Sequence, residues 1–326
     1  MHRGLSYKTK QIFFVLIKLS IVIGAFYYIY DKLTSNELLK FDDFSHFLIK
    51  NDAFSTKNIV FLLFLTIFNW FFEILKWQYL VNSVKKISFI NSLKQSLASL
   101  TASLITPNRI GDYAVKAVYY HKTLRKRILL LNLMSHMAQM SVTFVLGIIG
   151  ILIFIRKYDL DISPKKFTRL AAILIIVGAM TLFGIRQTKF KLRGFLIEKV
   201  IAFITHISLT VQLKTLLFSL IRYFIFSYQF YFLLILFGVE VSYLNAMIVI
   251  TTMYLLSSIF PTFFVFDVVV KGSIAIYLFE IVGVNQLTTL SIITIMWLLN
   301  FILPSIIGSF YVLKFKRLNA FNPNKD

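Results

Sequence analysis

Two acid–base pairs, Asp112 with Lys116 and Asp267 with Lys271, are each spaced by four residues, and each stands just beyond a proline that interrupts an apolar stretch. That spacing puts acid and base on one helix face. A helix restarting after a break also offers free backbone N–H groups and the positive end of its dipole. Together with Arg109 and Asn108, these groups suit an anion such as a lipid phosphate, with the bases attracting it and the acids balancing charge or relaying a proton. The purely structural alternative is that Asp112 caps a helix and each lysine is a salt-bridge partner. A second set sits elsewhere: Asn69, Glu73 and Lys76 at i, i+4 and i+7 share one face, and Arg222, Tyr223 and Gln229 recur at a corresponding position further along the chain. His136 and Gln139 stand apart from both sets and read as packing contacts between helices.

No covalent or redox chemistry is legible. With no cysteine there is no disulfide, thiolate nucleophile or Cys-ligated metal, and the five histidines show no ligand spacing. No Gly-rich phosphate loop precedes a lysine, and no Ser-His-acid set occurs in a suggestive context. The expectation is therefore no catalytic residue, no metal, no cofactor and no enzymatic activity.

These residues must be positioned by elements that water does not solvate. The chain is 58% hydrophobic with mean hydropathy +0.78, and its charged fraction of 15% is well below the roughly 25% of soluble domains. Its 326 residues suffice for a single membrane domain of about six to eight spans. The net charge of +21 lies in short clusters between apolar runs, which reads as a topology signal rather than a nucleic-acid surface. A charge at mid-membrane costs about 2.5–3.5 kcal/mol even on a lenient scale, so the acid–base pairs are expected to face the protein interior or a watery cavity.

Spans are expected at 11–30 (uncleaved, for want of a small-residue cleavage site), 58–81, 128–155, 169–185, 214–237 and 287–313. Segments 36–57 and 194–213 mix charge with Phe, Ile and Leu and read as interfacial helices. The stretches 91–121 and 243–282, broken at Pro107 to Gly111 and at Pro261, read as re-entrant hairpins of two half-helices, tolerable only against protein or a cavity. Lys/Arg clusters put both termini in the cytoplasm and 31–57 outside, although loop 156–168 carries four bases on the side assigned to the exterior.

The chain also repeats itself. Ile87-Ser88-Phe89-Ile90-Asn91 aligns with Val241-Ser242-Tyr243-Leu244-Asn245 at an offset of 154, which carries Ser103 to Pro107 onto Ser257 to Pro261; after one inserted residue Asp112 and Lys116 fall on Asp267 and Lys271. In the charge-derived topology, repeat 1 (about 58–155) and repeat 2 (about 214–313) enter from opposite faces. The expected class is an all-α polytopic membrane protein with an inverted internal repeat, an architecture of many secondary transporters.

At Asn69 to Trp77, at Pro107 to Asp112 with Lys116, and at Pro261, Asp267 and Lys271-Gly272-Ser273, the chain resembles the lysylphosphatidylglycerol synthase transmembrane-domain family, also called flippase-like domain proteins. Its first hairpin matches the family's Pro, Arg, Gly, acid and base; its second has Phe263-Phe264-Val265-Phe266 in place of a glycine-rich stretch. The resemblance implies a phospholipid or other anionic lipid-linked substrate moved between leaflets of a bacterial cytoplasmic membrane. The soluble aminoacyltransferase domain of the large synthases is not in this sequence, so lipid modification is not expected of it. Competing readings are a small-solute or ion transporter, a non-transporting partner of a lipid-biosynthetic enzyme, and a membrane transferase using Glu73 or Asp112 as base. A homodimer stays open.

Overall fold

The computed structural model describes residues 55–104, 106, 109–158, 191–192, 195–259 and 267–315, with Leu16, Ser20, Ile23 and Tyr27. The expected spans 11–30 (apart from those four residues) and 169–185, most of the interfacial segment 36–57, and the residues Pro107, Asn108 and Pro261 lie outside it. The described chain is helical apart from one small hairpin, in which Lys191–Leu192 pairs antiparallel with Phe195–Leu196.

Two runs of four helical segments follow one plan. The first is a long helix α1 (Thr56–Val81), two short ones α2 (Phe89–Leu104) and α3 (Ile110–Val118), and a long α4 (Lys122–Lys157). After α5 (Ile197–His206) come a long α6 (Leu209–Leu236), two short helices α7 (Tyr243–Ile259) and α8 (Asp267–Ile281), and a long continuous helix made of α9 (Gln286–Trp297), a π turn (Leu298–Ile302) and α10 (Leu303–Lys314). Among the described residues, four helices are long and apolar enough to span: α1, α4, α6 and the helix running from Gln286 to Lys314. They match four of the spans expected from sequence, and they make this a multi-pass membrane protein. Their outer faces expose Phe64, Ile67, Phe68, Ile149, Leu152 and Leu217, a surface suited to lipid tails and not to water.

The short helices begin where small hydroxyl residues supply an acceptor. Ser88 Oγ accepts from the Asn91 N–H at 3.3 Å, and Ser242 Oγ accepts from the Asn245 N–H at 3.4 Å, the same device at the offset of 154. At 36 residues α4 is about 54 Å long, well beyond the roughly 30 Å of hydrocarbon, so its basic first turns from Lys122 to Arg127 extend past the apolar layer.

Each half's last long helix is laid on the other half's first short one through glycine. A Cβ on Gly147 of α4 would sit 2.4 Å from Leu255 Cβ, and one on Gly150 would sit 2.0 Å from Thr251 Oγ1, both on α7. A Cβ on Gly308 of α10 would sit 2.2 Å from the Leu97 carbonyl oxygen and 2.4 Å from Thr101 Oγ1 on α2. Leu97 and Thr101 are the offset-154 counterparts of Thr251 and Leu255. α1 and α6 pack side by side at the centre, with aromatic edges such as Phe61 on Phe232 at 4.8 Å.

The π turn has a traceable cause. Pro304 lacks the N–H that would bond the Asn300 carbonyl, and the indole N–H of Trp70 on α1 donates to that carbonyl at 3.1 Å instead.

Candidate functional site

Glu73 of α1 is the anionic centre of a buried group. It pairs with Lys76 one turn along at 2.8 Å and with the Arg222 guanidinium of α6. Arg222 Nε also donates to the Asn69 side-chain and main-chain oxygens at 3.2 and 3.3 Å, and a terminal nitrogen reaches Gln139 Oε1 of α4 at 3.3 Å. From Asn69 an amide chain continues inward. Asn69 donates to Asn300 at 3.0 Å, Asn300 donates to Gln229 at 2.9 Å, and Gln229 donates to Thr66 at 2.9 Å. The face predicted from Asn69, Glu73 and Lys76 thus exists, and α6 and the π turn close over it.

The second group is built around Asp112 in the first turn of α3. Lys116 lies 3.1 Å away, Asn132 Nδ2 of α4 donates to the carboxylate at 2.6 Å, and His136 Nε2 stands 2.8 Å from it. Lys116 also donates to Asn132 Oδ1 at 2.8 Å and lies over the Trp77 ring at 4.4 Å. Trp77 and Tyr120 both donate to Gln95 at 2.8 Å, which fixes the indole under the ammonium. Asp112, Lys116 and Asn132 are all buried, whereas the His136 side chain is 34% exposed. The two groups adjoin, because Lys116 interacts electrostatically with Glu73 and Lys76.

Three expectations need correction. Asp112 does not cap α3. Arg109 occupies the cap position without a side-chain cap bond, in a left-handed conformation (φ 54°), and Thr106 Oγ1 accepts from the Gly111 N–H at 2.8 Å. His136 and Gln139 are not bystanders, since each bonds a member of an ion group. Tyr223 adjoins Arg222 in sequence but points its ring to Tyr254 of α7, at 5.7 Å, and its hydroxyl has no hydrogen-bond partner among the described residues. Asn132, His136 and Gln139 could have been found, because they repeat the i, i+4, i+7 spacing of Asn69, Glu73 and Lys76 on a facing helix. Asn300 carried no comparable signal.

Gly111 is needed for proximity and not for flexibility: a Cβ there would lie 2.2 Å from the Ala102 carbonyl oxygen, so α2 and α3 close only on glycine. Arg109 is exposed at the break, with its guanidinium 5.5 Å from the Phe301 ring of the π turn. Asp267 opens α8 and Lys271 is half-buried on it; the side chain of Asp267 and the approach of this pair to the first lie outside the described geometry.

Among the described residues three bases, Lys76, Lys116 and Arg222, meet two acids, Glu73 and Asp112, across both ion groups. The excess positive charge lies in an interior where charges are costly unless paired. Such a region can accept an anion. In comparisons with known proteins, the family model described as the lysylphosphatidylglycerol synthase TM region matches residues 15–308, while no curated protein and no solved structure matches.

Proposed function

The chain belongs to the lysylphosphatidylglycerol synthase transmembrane-region family, and from that premise we propose that it moves a phospholipid or other anionic lipid-linked substrate between the leaflets of a bacterial cytoplasmic membrane. The observation that carries the reading is the excess of positive charge, among the described residues, at the meeting of α1, α3, α4 and α6, where Glu73 faces both Lys76 and Arg222. A phosphate head group is the anion that a lipid would bring to it. In this reading Arg109, exposed at the break before α3, meets the head group first.

The transport cycle we propose rests on two inverted halves exchanging conformations around that region, each with a re-entrant hairpin. The twice-used plan of long, short, short and long helices supports this, as do the paired serine starts of α2 and α7 and the glycine seats at Leu97 and Thr251. Both termini are cytoplasmic in this scheme. Because the chain has no cysteine, single cysteines at Asn36, Thr188 and Asn324 report sidedness directly in intact cells. An impermeant thiol reagent is expected to label only position 36; labelling of 324 but not 36 reverses the orientation.

The activity test uses purified protein in liposomes with fluorescent phospholipids and polyprenyl-phosphate lipids, reading accessibility to an external quencher. Movement of at least one phosphate-bearing lipid is expected. Lys116→Ala should slow it by about tenfold or more, the equivalent of one lost charged hydrogen bond. Lys116→Arg keeps the charge, sets a planar guanidinium over Trp77 in place of the ammonium, and should retain most of the rate; the same contrast is expected at Lys271. No movement across a broad lipid panel favours a non-transporting partner of a lipid-modifying enzyme.

A further inference from the structure

Ser219, Tyr223 and Ser227 recur every fourth residue of α6, so their side chains share one face. Their residues are 0%, 4% and 0% exposed, and none of the three hydroxyls has a hydrogen-bond partner among the described residues. Tyr254 of α7 adds a fourth buried hydroxyl, its ring set edge-on to Tyr223 at 5.7 Å between centroids. Other hydroxyls here solve the problem within their own helix. Thr66, Thr215 and Thr252 each bond the carbonyl four residues earlier, at 3.0, 2.7 and 2.7 Å. The four hydroxyls on the α6–α7 face do not.

A buried hydroxyl without a partner is unfavourable, and more so at membrane depth where lipid offers none. Ser219 and Ser227 stand two turns apart, about 12 Å along the helix axis, with the longer Tyr223 side chain reaching out between them. Several waters linked by hydrogen bonds of about 2.8 Å are needed to bridge that span. The upper end of this face is tied to the ion cluster by an amide. Gln139 of α4 donates to the Ser219 carbonyl at 3.4 Å and accepts from Arg222 at 3.3 Å. Both bonds are long for N–H···O, so the amide is held loosely between the hydroxyl face and the charges.

We infer that the seam between α4, α6 and α7 holds a single file of buried water, bridging Ser219, Tyr223, Ser227 and Tyr254 and ending at the Gln139–Arg222 contact. The file hydrates the ion cluster from the protein side and gives its charges a hydrogen-bonded route along α6. Nothing in this depends on whether the chain moves a lipid.

X-ray radiolysis of the full-length protein in lipid nanodiscs, read by mass spectrometry, tests the inference, because hydroxyl radicals made from bound water oxidise the side chains that touch it. Tyr120 is the internal control: it is 6% exposed, but its hydroxyl is bonded to Gln95. Tyr223 and Tyr254 are expected to be oxidised several-fold faster than Tyr120 and than the dry Phe230. In Ser219→Ala/Ser227→Ala the Tyr223 rate should fall to that of Tyr120. If Tyr223 and Tyr254 react no faster than Tyr120 in the unaltered protein, the seam is dry and the inference fails. If the rate at Tyr223 is unchanged in the double variant, the serines do not hold the water and the file is refuted.

Discussion

Glu73→Ala is expected to lower the stability of the detergent-solubilised protein by about 3–5 kcal/mol, the cost of leaving buried charge without its partner. Two cations depend on this one carboxylate: Lys76, itself 2% exposed, and Arg222, which reaches across from α6. With the carboxylate gone, two positive charges face each other in an interior that cannot hydrate them. Trp70, Trp77 and Trp297 provide an intrinsic fluorescence signal for thermal unfolding. The companion variant Glu73→Leu/Lys76→Met/Arg222→Leu removes the whole group and is expected to recover most of the lost stability, since apolar replacement of a buried ion set is often neutral or favourable. That variant should nevertheless fail to move lipid. A triple variant that is both stable and fully active would reduce the ion group to scaffolding and defeat the proposed function.

The second large effect is steric. Gly147→Ala and Gly308→Ala should each cost about 1–3 kcal/mol, because the new methyl meets Leu255 Cβ at 2.4 Å in one case and the Leu97 carbonyl oxygen at 2.2 Å in the other. Neither obstacle is the far end of a flexible side chain, so a helix has to move. Similar losses at both sites would fit two seats built to one plan. Gly272→Ala is the control: its nearest neighbour would be Leu290 Cδ2 at 3.9 Å, and the gain in helix propensity should leave stability unchanged or raised by up to about 1 kcal/mol. A tolerant Gly308 beside a sensitive Gly147 would mean that α10 rests on α2 more loosely than α4 rests on α7, and would weaken the case for equivalent halves.

What could be read from the sequence follows the range of each interaction. The long apolar runs of α1, α4 and α6 announce themselves, and local periodicity placed Asn69, Glu73 and Lys76 on one face. The Asp112–Lys116 pair is likewise a four-residue relation and was found. The partners that complete the site are not local: Asn69 meets Asn300 from 231 residues away, and Arg222 meets Glu73 from 149 residues away. A lone asparagine in an apolar helix looks the same in sequence whether it joins a network or packs idly. His136 shows the converse, because its spacing from Asn132 and Gln139 carried the signal and only the isolation of each residue within an apolar run hid it. The alternative in which Asp112 caps α3 fails for a simpler reason. Thr106 lies on the far side of a break whose geometry places Arg109 in the left-handed region, and no linear motif anticipates a cap five residues upstream of the N–H it serves.

The π turn at Leu298–Ile302 sets an angular phase. It is the join between two surfaces of one helix: Asn300, which faces Asn69 and Gln229, and the Ser305, Gly308 and Ser309 face, which lies on α2 with the Thr101 hydroxyl donating to the Ser305 carbonyl at 2.9 Å. Winding the same residues as ordinary α-helix would swing everything downstream by about 100°. Gly308 would then leave Leu97, and a bulky neighbour would arrive in its place. The wide turn therefore acts as a keyed coupling, through which the amide network at one end and the glycine seat at the other stay engaged together although the helix carries one surplus residue. A relative of this chain that is one residue shorter between Asn300 and Gly308 should keep both contacts by closing an ordinary α-turn there.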